Sequence, residues 1–244
     1  MENKKRIAFI NQRYGLEING GSETYTRTLA EHLKGLYDID ILTTKASDYT
    51  DWENTFTEDT EYINGIRVLR FDVSKNRDVI GMKVFSWLRR IKGLRRFSEE
   101  KWVDAQGPYC PALVEYIRTR RGYYDAFVFV TYLYYDTVRG IKAAGDRTVL
   151  IPTAHDEPYL YYDVYKNVFS AASAIIYLSE EEKTLAEKVF DVEDKPNTVA
   201  GSGIDAEHTG SAVRDGNRRS LSWNVLLRAA GHCSRAGRSA GIVA

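Results

Sequence analysis

Short continuous apolar runs alternate along the chain with segments whose apolar residues recur every three or four positions. The first run, at residues 7–10, leads into a loop that contains glycines. A run of this kind predicts a buried strand. The segment that follows places Tyr25, Leu29, Leu33 and Leu36 at spacings of four, four and three, which predicts a helix with one apolar face. Ser22 is the expected N-cap of that helix.

The same alternation continues to about residue 199. Further strands are predicted at residues 39–43, 66–71, 126–131, 148–151, 174–178 and near Thr198. Further helices are predicted at residues 112–119, 137–144, 161–170 and 180–190, with a loop over residues 48–59 and a turn at Asn64-Gly65. Apolar strands that alternate with amphipathic helices predict a doubly wound, mostly parallel, Rossmann-like α/β sheet with helices on both faces.

The pattern stops at Asp205. Residues 206–244 contain no Lys, Tyr, Phe or Pro but six Arg, seven Ala, five Gly and five Ser, whereas all 17 Tyr of the chain precede them. A shifted reading frame would produce such a change in composition. We therefore expect one folded domain over residues 1–205, followed by a disordered basic tail that is not native to the protein.

Charge and cysteine content exclude several classes of protein. Residues 1–205 contain 32 acidic and 28 basic residues, a balance that argues against a nucleic-acid partner. Cys110 and Cys233 are far apart in the sequence, so neither a disulfide framework nor a metal cluster is expected. The amino end is polar, and the apolar run that follows it is too short for a signal peptide or a membrane span. We expect a cytoplasmic protein.

A glycine-containing turn, residues 19–23, joins the first strand to the first helix. Backbone amides at such a helix start can bind a phosphate or a sugar hydroxyl, and glycine lets a ligand approach the main chain. Gly20 and Gly21 are therefore candidate donor-binding residues. The turn lacks the glycine spacing of dinucleotide-binding proteins and the Lys-Ser/Thr of a P-loop. The alternative is a tight turn with no ligand.

His155 and Asp156 follow the predicted strand at residues 148–151. The carboxyl ends of parallel strands lie at one edge of a sheet, so this pair is expected at the same edge as the glycine turn. Histidine can exchange a proton or a hydrogen bond with a hydroxyl, which makes the pair candidate catalytic residues, although a structural role is the alternative. Several tyrosines are expected near this edge, mostly as core or rim residues. The candidate acceptor-binding residues are Tyr132, Tyr134 and Arg13.

Residues 77–101 contain eight basic and three acidic residues. These residues are predicted to form one helix with two different faces. Its apolar face carries Ile80, Val84, Trp87, Leu88, Ile91 and Leu94. Its basic face carries Lys83, Arg89, Arg90, Lys92 and Arg96. Two interpretations are open. The segment either contacts an anionic membrane or acceptor, through Lys83, Trp87, Arg89 and Arg90, or it is an ordinary helix docked on the sheet.

Asp38 and Asp40 form an Asp-x-Asp motif of a type that can hold a metal, but they begin a strand and lie far from the expected ligand edge.

Four segments, in this order, resemble the amino-terminal domain of GT-B glycosyltransferases of the retaining family 4 type. They are residues 20–23 (GGSE), residues 151–158 around His155, residues 174–183 (AIIYLSEEEK) and residues 201–205 (GSGID). The resemblance covers residues 5 to 205. The last segment corresponds to the connection that leads into a second, donor-binding domain, which is absent from this sequence.

The resemblance implies a division of roles. Gly20 and Gly21 would present amides to the phosphate or sugar of a UDP- or GDP-sugar donor, and His155 would contact the transferred sugar. A glycan or lipid-linked acceptor would enter from this domain. No cofactor and no metal are expected, since amides and basic residues of the second domain neutralise the leaving nucleotide. Without that domain, the chain is expected to have little or no activity.

A second hypothesis belongs to another class of protein. The chain could be a stand-alone α/β module that binds a sugar or a nucleotide, with a basic tail that contacts an anionic partner. A hydrolase is a weaker alternative, because the sequence has no Gly-x-Ser-x-Gly nucleophile turn.

Overall fold

A single eight-stranded sheet organises residues 4–201, the part of the chain that the computed structural model describes. The strands are β1 (Arg6–Ile10), β2 (Asp38–Thr44), β3 (Thr60–Ile63), β4 (Ile66–Phe71), β5 (Ala126–Val130), β6 (Thr148–Ile151), β7 (Ala174–Tyr177) and β8 (Asn197–Val199). The helices are α1 (Gly21–Leu33), α2 (Val79–Leu88), α3 (Arg95–Gln106), α4 (Pro111–Thr119), α5 (Tyr135–Ala144), α6 (Asp163–Ala171) and α7 (Glu180–Val189).

The sheet has the order β3-β4-β2-β1-β5-β6-β7-β8. All neighbouring strands are parallel except β3, which forms an antiparallel hairpin with β4 through the Asn64-Gly65 turn. The predicted mostly parallel, doubly wound sheet is therefore confirmed.

Both faces of the central strands are buried. Ile7 and Phe9 of β1 lie in the core cluster that α1 covers through Ala30 and Leu33. Ala8 of the same strand lies in the larger cluster on the opposite face, with residues from α3 to α7. Because successive side chains of a strand point to opposite faces, a strand buried on both sides is apolar at every position. This explains the continuous apolar runs in the sequence.

Two expectations about local structure were wrong, and one strand was missed. The N-cap of α1 is Gly20 rather than Ser22, and no side chain caps this helix. Leu36 is exposed, because α1 ends at Leu33 and the next residues form a turn. The edge strand β3 was missed, because it has only four residues, of which only Ile63 is buried.

The predicted basic helix is in fact two helices. α2 ends at Leu88, and a turn that contains Gly93 at φ 91° separates it from α3. Glycine adopts this left-handed conformation without steric cost. None of the residues of α2 is buried. Of the two open interpretations, the ordinary helix whose apolar face docks on the sheet does not fit, since Ile80, Val84 and Trp87 are exposed.

Some predictions lie outside the described residues. These are the tail at residues 206–244, Cys233, and the last four residues of the GSGID segment. Of the two cysteines, Cys110 is buried and free.

Candidate functional site

The carboxyl ends of β1 and β5 mark the point where the strand order reverses. From β1 the chain builds the sheet in one direction through β2 and β4, and from β5 it builds in the other direction through β6, β7 and β8. Open parallel sheets bind ligands in the crevice at such a point, because the loops on its two sides diverge. The candidate site is therefore formed by the residues that follow β1, β5 and β6.

Two buried amide side chains tie the end of β1 to the first turn of α1. The Nδ2 of Asn11 donates to the Ser22 carbonyl at 3.1 Å and to the Thr26 hydroxyl at 2.7 Å. The Nε2 of Gln12 donates to the hydroxyl of Ser22 at 3.3 Å and to Glu23 Oε1 at 3.2 Å. The first turn of α1 is thus held in place by β1 itself.

The end of β5 joins this cluster through Thr131. Its hydroxyl donates to Gln12 Oε1 at 3.4 Å, and its backbone has a φ of 71°. A left-handed conformation is costly for a β-branched residue, and residues held in this way cluster at functional sites. Thr153, at the end of β6, has a φ of 50°. Two strained threonines therefore lie at neighbouring strand ends on the candidate ligand edge.

Arg13, a candidate acceptor-binding residue, forms a buried ion pair with Glu23. Its Nε and Nη2 lie 2.9 and 2.6 Å from Glu23 Oε1, and its Nη1 donates to the Ser47 carbonyl at 3.0 Å. The hydroxyl of Ser22 donates to Glu23 Oε2 at 2.8 Å. The guanidinium is therefore committed to protein groups on several sides. Its predicted contact with an acceptor stays a prediction.

The two candidate donor-binding glycines differ in their surroundings. A Cβ on Gly20 would collide with the carboxylate of Glu23, so this position is a glycine for lack of space. Gly21 is exposed and has nothing within 4 Å of the position of a Cβ. The carboxylate of Glu23 lies against Gly20, within the first turn of α1, where an anion would otherwise be favoured. Gly21 is therefore the more exposed of the two glycines.

His155 and Asp156, the candidate catalytic pair, lie on an exposed loop after β6. Asp156 Oδ1 accepts a hydrogen bond from the Tyr161 hydroxyl at 2.7 Å. The ring of His155 makes no hydrogen bond or ion pair with the residues that the structure describes, so both of its nitrogens are available to a substrate. Whether the pair acts in catalysis stays a prediction.

Glu182 fixes the backbone of this loop. Its Oε1 accepts from the Ala154 amide and its Oε2 from the Leu178 amide, each at 2.6 Å. The side chain of Ser179 caps α7 by accepting from the Glu182 amide at 3.1 Å. Burial raises the pKa of the Glu182 carboxyl, an effect that the two amides and the nearby His155 oppose. One buried carboxylate therefore links the loop after β6 to the start of α7.

Sequence reasoning did not assign this role to Glu182, although it lies within the AIIYLSEEEK segment. A usable signal was present, because a Ser followed three positions later by a Glu is typical of a capping box. The contact with Ala154 spans 28 positions and depends on how β6 and β7 pair, which a local pattern does not show.

The tyrosines near this edge are mostly structural. Tyr132 is buried and donates its hydroxyl to Glu157 Oε1 at 2.7 Å, and burial is the main cause of the raised pKa of this hydroxyl. Tyr134 is half-buried and packs edge-on against Trp52, with ring centroids 5.4 Å apart. A ligand could reach the rim of Tyr134 but would meet little of Tyr132. Acceptor binding by either residue stays a prediction.

The Asp-x-Asp motif lies at the opposite edge of the sheet. Asp40 forms a bidentate ion pair with Arg67 and accepts the Tyr124 hydroxyl at 2.7 Å. Asp38, Asp40 and Arg67 line a shallow cavity of about 380 Å³ at the amino ends of the strands, away from the candidate site. The carboxylate of Asp40 is thus used within the protein. Within residues 4–201, no group of three or more His, Cys, Asp or Glu side chains is arranged to hold a metal ion.

The four residues predicted to contact a membrane or an anionic acceptor, Lys83, Trp87, Arg89 and Arg90, differ in their surroundings. Arg89 is paired with the buried Glu99, with Nη2 3.2 Å from Oε1, and stacks over Tyr162. Lys83, Trp87 and Arg90 are exposed. Their contact with a membrane or an anionic acceptor stays a prediction.

Comparison with known proteins supports the fold. No protein-family model and no curated protein sequence matches the chain. Among solved structures, the chain is similar to sucrose-phosphate synthase from Thermosynechococcus elongatus, with a TM-score of 0.51 and 16% identity over 82% of this chain and 49% of that one. A structure of TcCGT1 in complex with UDP gives a TM-score of 0.43 and 11% identity over 91% of this chain and 55% of that one. The chain spans about half the length of these neighbours. The likeness to sucrose-phosphate synthase shows that its mostly parallel sheet has the fold of a GT-B Rossmann-like domain.

Proposed function

We propose that this chain is the acceptor-side half of a retaining GT-B glycosyltransferase that transfers a hexose from a UDP- or GDP-sugar to a glycan or lipid-linked acceptor. The observation that carries the proposal is the juxtaposition at the carboxyl edge. The exposed Gly21 follows β1, and the exposed His155, whose ring makes no hydrogen bond or ion pair with the described residues, follows β6, with β5 between these two strands. Two strand spacings separate the two loops by about 10 Å, a distance that a nucleotide sugar can span.

An electrostatic interaction between the two sides supports this closeness. Burial and the negative charge of Glu182 raise the pKa of Tyr25 to about 12. Tyr25 belongs to α1 and Glu182 to α7, so the helices that follow the two loops lie near one another. The carboxylate that holds the His155 loop is thus also close to the helix that carries the glycine turn.

The proposed roles follow from these positions. The amide of Gly21 would bind a phosphate or sugar oxygen of the donor, and the ring of His155 would hydrogen-bond a hydroxyl of the transferred sugar. Asp156 would act beside His155, held by Tyr161. Tyr134 and Arg13 would border the acceptor. No metal is needed in this scheme, because amides and basic residues of a donor domain would neutralise the leaving diphosphate.

We also propose that transfer requires a donor-binding domain in addition to residues 1–205. The described residues form one sheet, and the chain covers 49% of sucrose-phosphate synthase. Arg13, a basic residue at the carboxyl edge, is already paired with Glu23, so it is not free to neutralise a nucleotide diphosphate. The chain alone is therefore expected to bind sugars weakly and to transfer none.

The test is a titration of the isotope-labelled chain with UDP-glucose and with GDP-mannose, followed by amide chemical shifts. We expect weak, saturable shifts at Gly21 and His155, which Gly21→Val and His155→Ala each reduce at both loops, and no sugar transfer to water or to added oligosaccharide. Shifts confined to other edges of the sheet would overturn the proposal. Tight binding without a requirement for either loop would favour a stand-alone binding module instead.

A further inference from the structure

The outer face of α2 is apolar and uncovered. Ile80, Val84 and Trp87 lie on it, one helical turn apart, with exposed fractions of 76%, 47% and 60%. The opposite side of the helix packs against the core through Met82 and Phe85. Large apolar side chains that are exposed together, rather than singly, mark a surface that another apolar phase covers.

The same surface continues beyond the end of α2. Ile91, Leu94 and Phe97 are each at least 40% exposed. We refer to the exposed apolar residues Val79, Ile80, Val84, Trp87, Ile91, Leu94 and Phe97 as the α2 surface. It runs along α2, the turn that follows and the first turn of α3, to which Phe97 belongs.

The α2 surface is strongly basic at its rim. Residues 79–97 contain six Lys or Arg and no Asp or Glu. Two of the six are paired within the protein, since Arg89 and Arg95 contact Glu99. Lys83, Arg90, Lys92 and Arg96 are exposed and make no ion pair with any residue that the structure describes. The free positive charge therefore lies beside the exposed apolar side chains.

We propose that the α2 surface docks on an anionic lipid bilayer, with α2 in the plane of the interface. Exposed aliphatic side chains and a tryptophan would enter the headgroup region, while the lysine and arginines would contact lipid phosphates. A second copy of the chain is a poor occupant, because two such faces would bring like charges together. In the described part of the chain, no helix combines the length and the apolar character needed to cross a membrane.

The position of the α2 surface connects it to the candidate site. Ser86 of α2 lies 3.5 Å from the Tyr162 hydroxyl, and Arg89 covers the Tyr162 ring at 4.0 Å. Trp102 of α3 stacks on Tyr159 with centroids 4.7 Å apart. Tyr159 and Tyr162 belong to the chain segment that leads from His155 to α6. If the proposed function holds, a bilayer on this surface would present a lipid-linked acceptor beside His155 and would place the enzyme at the inner face of the membrane.

The test is co-sedimentation of the full chain with vesicles of phosphatidylcholine, with and without 30 mol% phosphatidylglycerol. Binding is expected only to the anionic vesicles, with at least a tenfold loss in 0.5 M salt because screening weakens each lysine or arginine contact. The variants Ile80→Ser/Trp87→Ser and Lys83→Glu/Arg90→Glu should each weaken binding at least tenfold. All four side chains are exposed or partner-free, so the unfolding midpoint should stay unchanged.

The matched control is Leu36→Ser/Tyr62→Ser, which removes two equally exposed apolar side chains far from α2 and should bind like the unchanged chain. Equal binding to neutral vesicles, or full binding by the α2 variants, would overturn the inference. So would self-association of the chain that the α2 variants abolish, because it would identify a second copy as the occupant. Vesicle binding requires no sugar transfer, so a failure of the proposed function would leave this result unchanged.

Discussion

Replacement of Glu182 by alanine tests whether one buried carboxylate holds the loop that carries His155. The side chain accepts two backbone hydrogen bonds of 2.6 Å, from Ala154 in the buried interior and from Leu178 in a partly buried position. A buried N–H that loses its acceptor costs about 1–3 kcal/mol. Glu182→Ala removes the acceptor of two backbone N–H groups, but it also removes the cost of burying the carboxylate. Together these effects predict that the substitution lowers the free energy of unfolding by about 2–4 kcal/mol.

Urea unfolding followed by circular dichroism measures this loss, and the slope with denaturant should stay unchanged. Glu182→Gln keeps one acceptor oxygen and should lose about half as much. Glu180→Ala is the matched control, because Glu180 lies in the same first turn of α7 but is exposed. It should cost less than about 1 kcal/mol, the size of a helix-dipole interaction.

Amide hydrogen exchange separates this mechanism from general destabilisation. In Glu182→Ala, the amides of Ala154 and Leu178 should exchange faster than the amides of β5, which lie in the same core but make no contact with Glu182. The reasoning would be refuted if both amides kept their protection, or if Glu180→Ala and Glu182→Ala were equally unstable.

Three further predictions concern the same edge of the sheet. Gly20→Ala should destabilise by about 1–3 kcal/mol, because a Cβ meets the Glu23 carboxylate; Gly21→Ala should be neutral in urea unfolding, and equal costs would contradict the steric account. His155→Ala should change the unfolding free energy by less than about 0.5 kcal/mol, because the ring is exposed and unpaired; a larger loss would point to a structural role. Asp136 is fully buried, which raises its pKa to about 7. In the native protein this carboxyl keeps its proton up to about pH 7, whereas in the unfolded chain it loses the proton near pH 4. The free energy of unfolding, measured relative to Asp136→Asn, should therefore fall by about 4 kcal/mol from pH 4 to pH 8. Parallel pH profiles of the two proteins would contradict this.

The strands and helices followed from periodicity, and their bounds differ from the prediction by one or two residues at most ends. β4 and β6 were predicted at the residues they occupy. These strands are buried on one or both faces, so their apolar pattern reflects the same burial that stabilises them. β3 was missed because an edge strand with one face in solvent needs few apolar residues.

The segment at residues 77–101 shows where periodicity misleads. The apolar spacing identified an amphipathic surface but left open whether its apolar side faces the sheet or an external partner. An apolar stripe on a helix indicates that its burial away from water is favourable, but it does not show whether the core or an external partner buries it. The break at Gly93 and the packing of Met82 and Phe85 decided which side of α2 faces outward.

Part of the candidate site could be predicted from the sequence, and part required the tertiary structure. The sequence alone placed Gly20, Gly21, His155 and Asp156 at strand ends, because parallel strands separated by helices bring their carboxyl ends to one edge. It did not reveal that Glu23 occupies the space beside Gly20, that Arg13 is paired, or that Glu182 holds Ala154 across 28 positions. These contacts join residues distant in the chain, and buried hydrogen bonds between such residues depend on strand order and helix placement. Local residue patterns determine which segments are buried, whereas tertiary packing decides which polar groups meet.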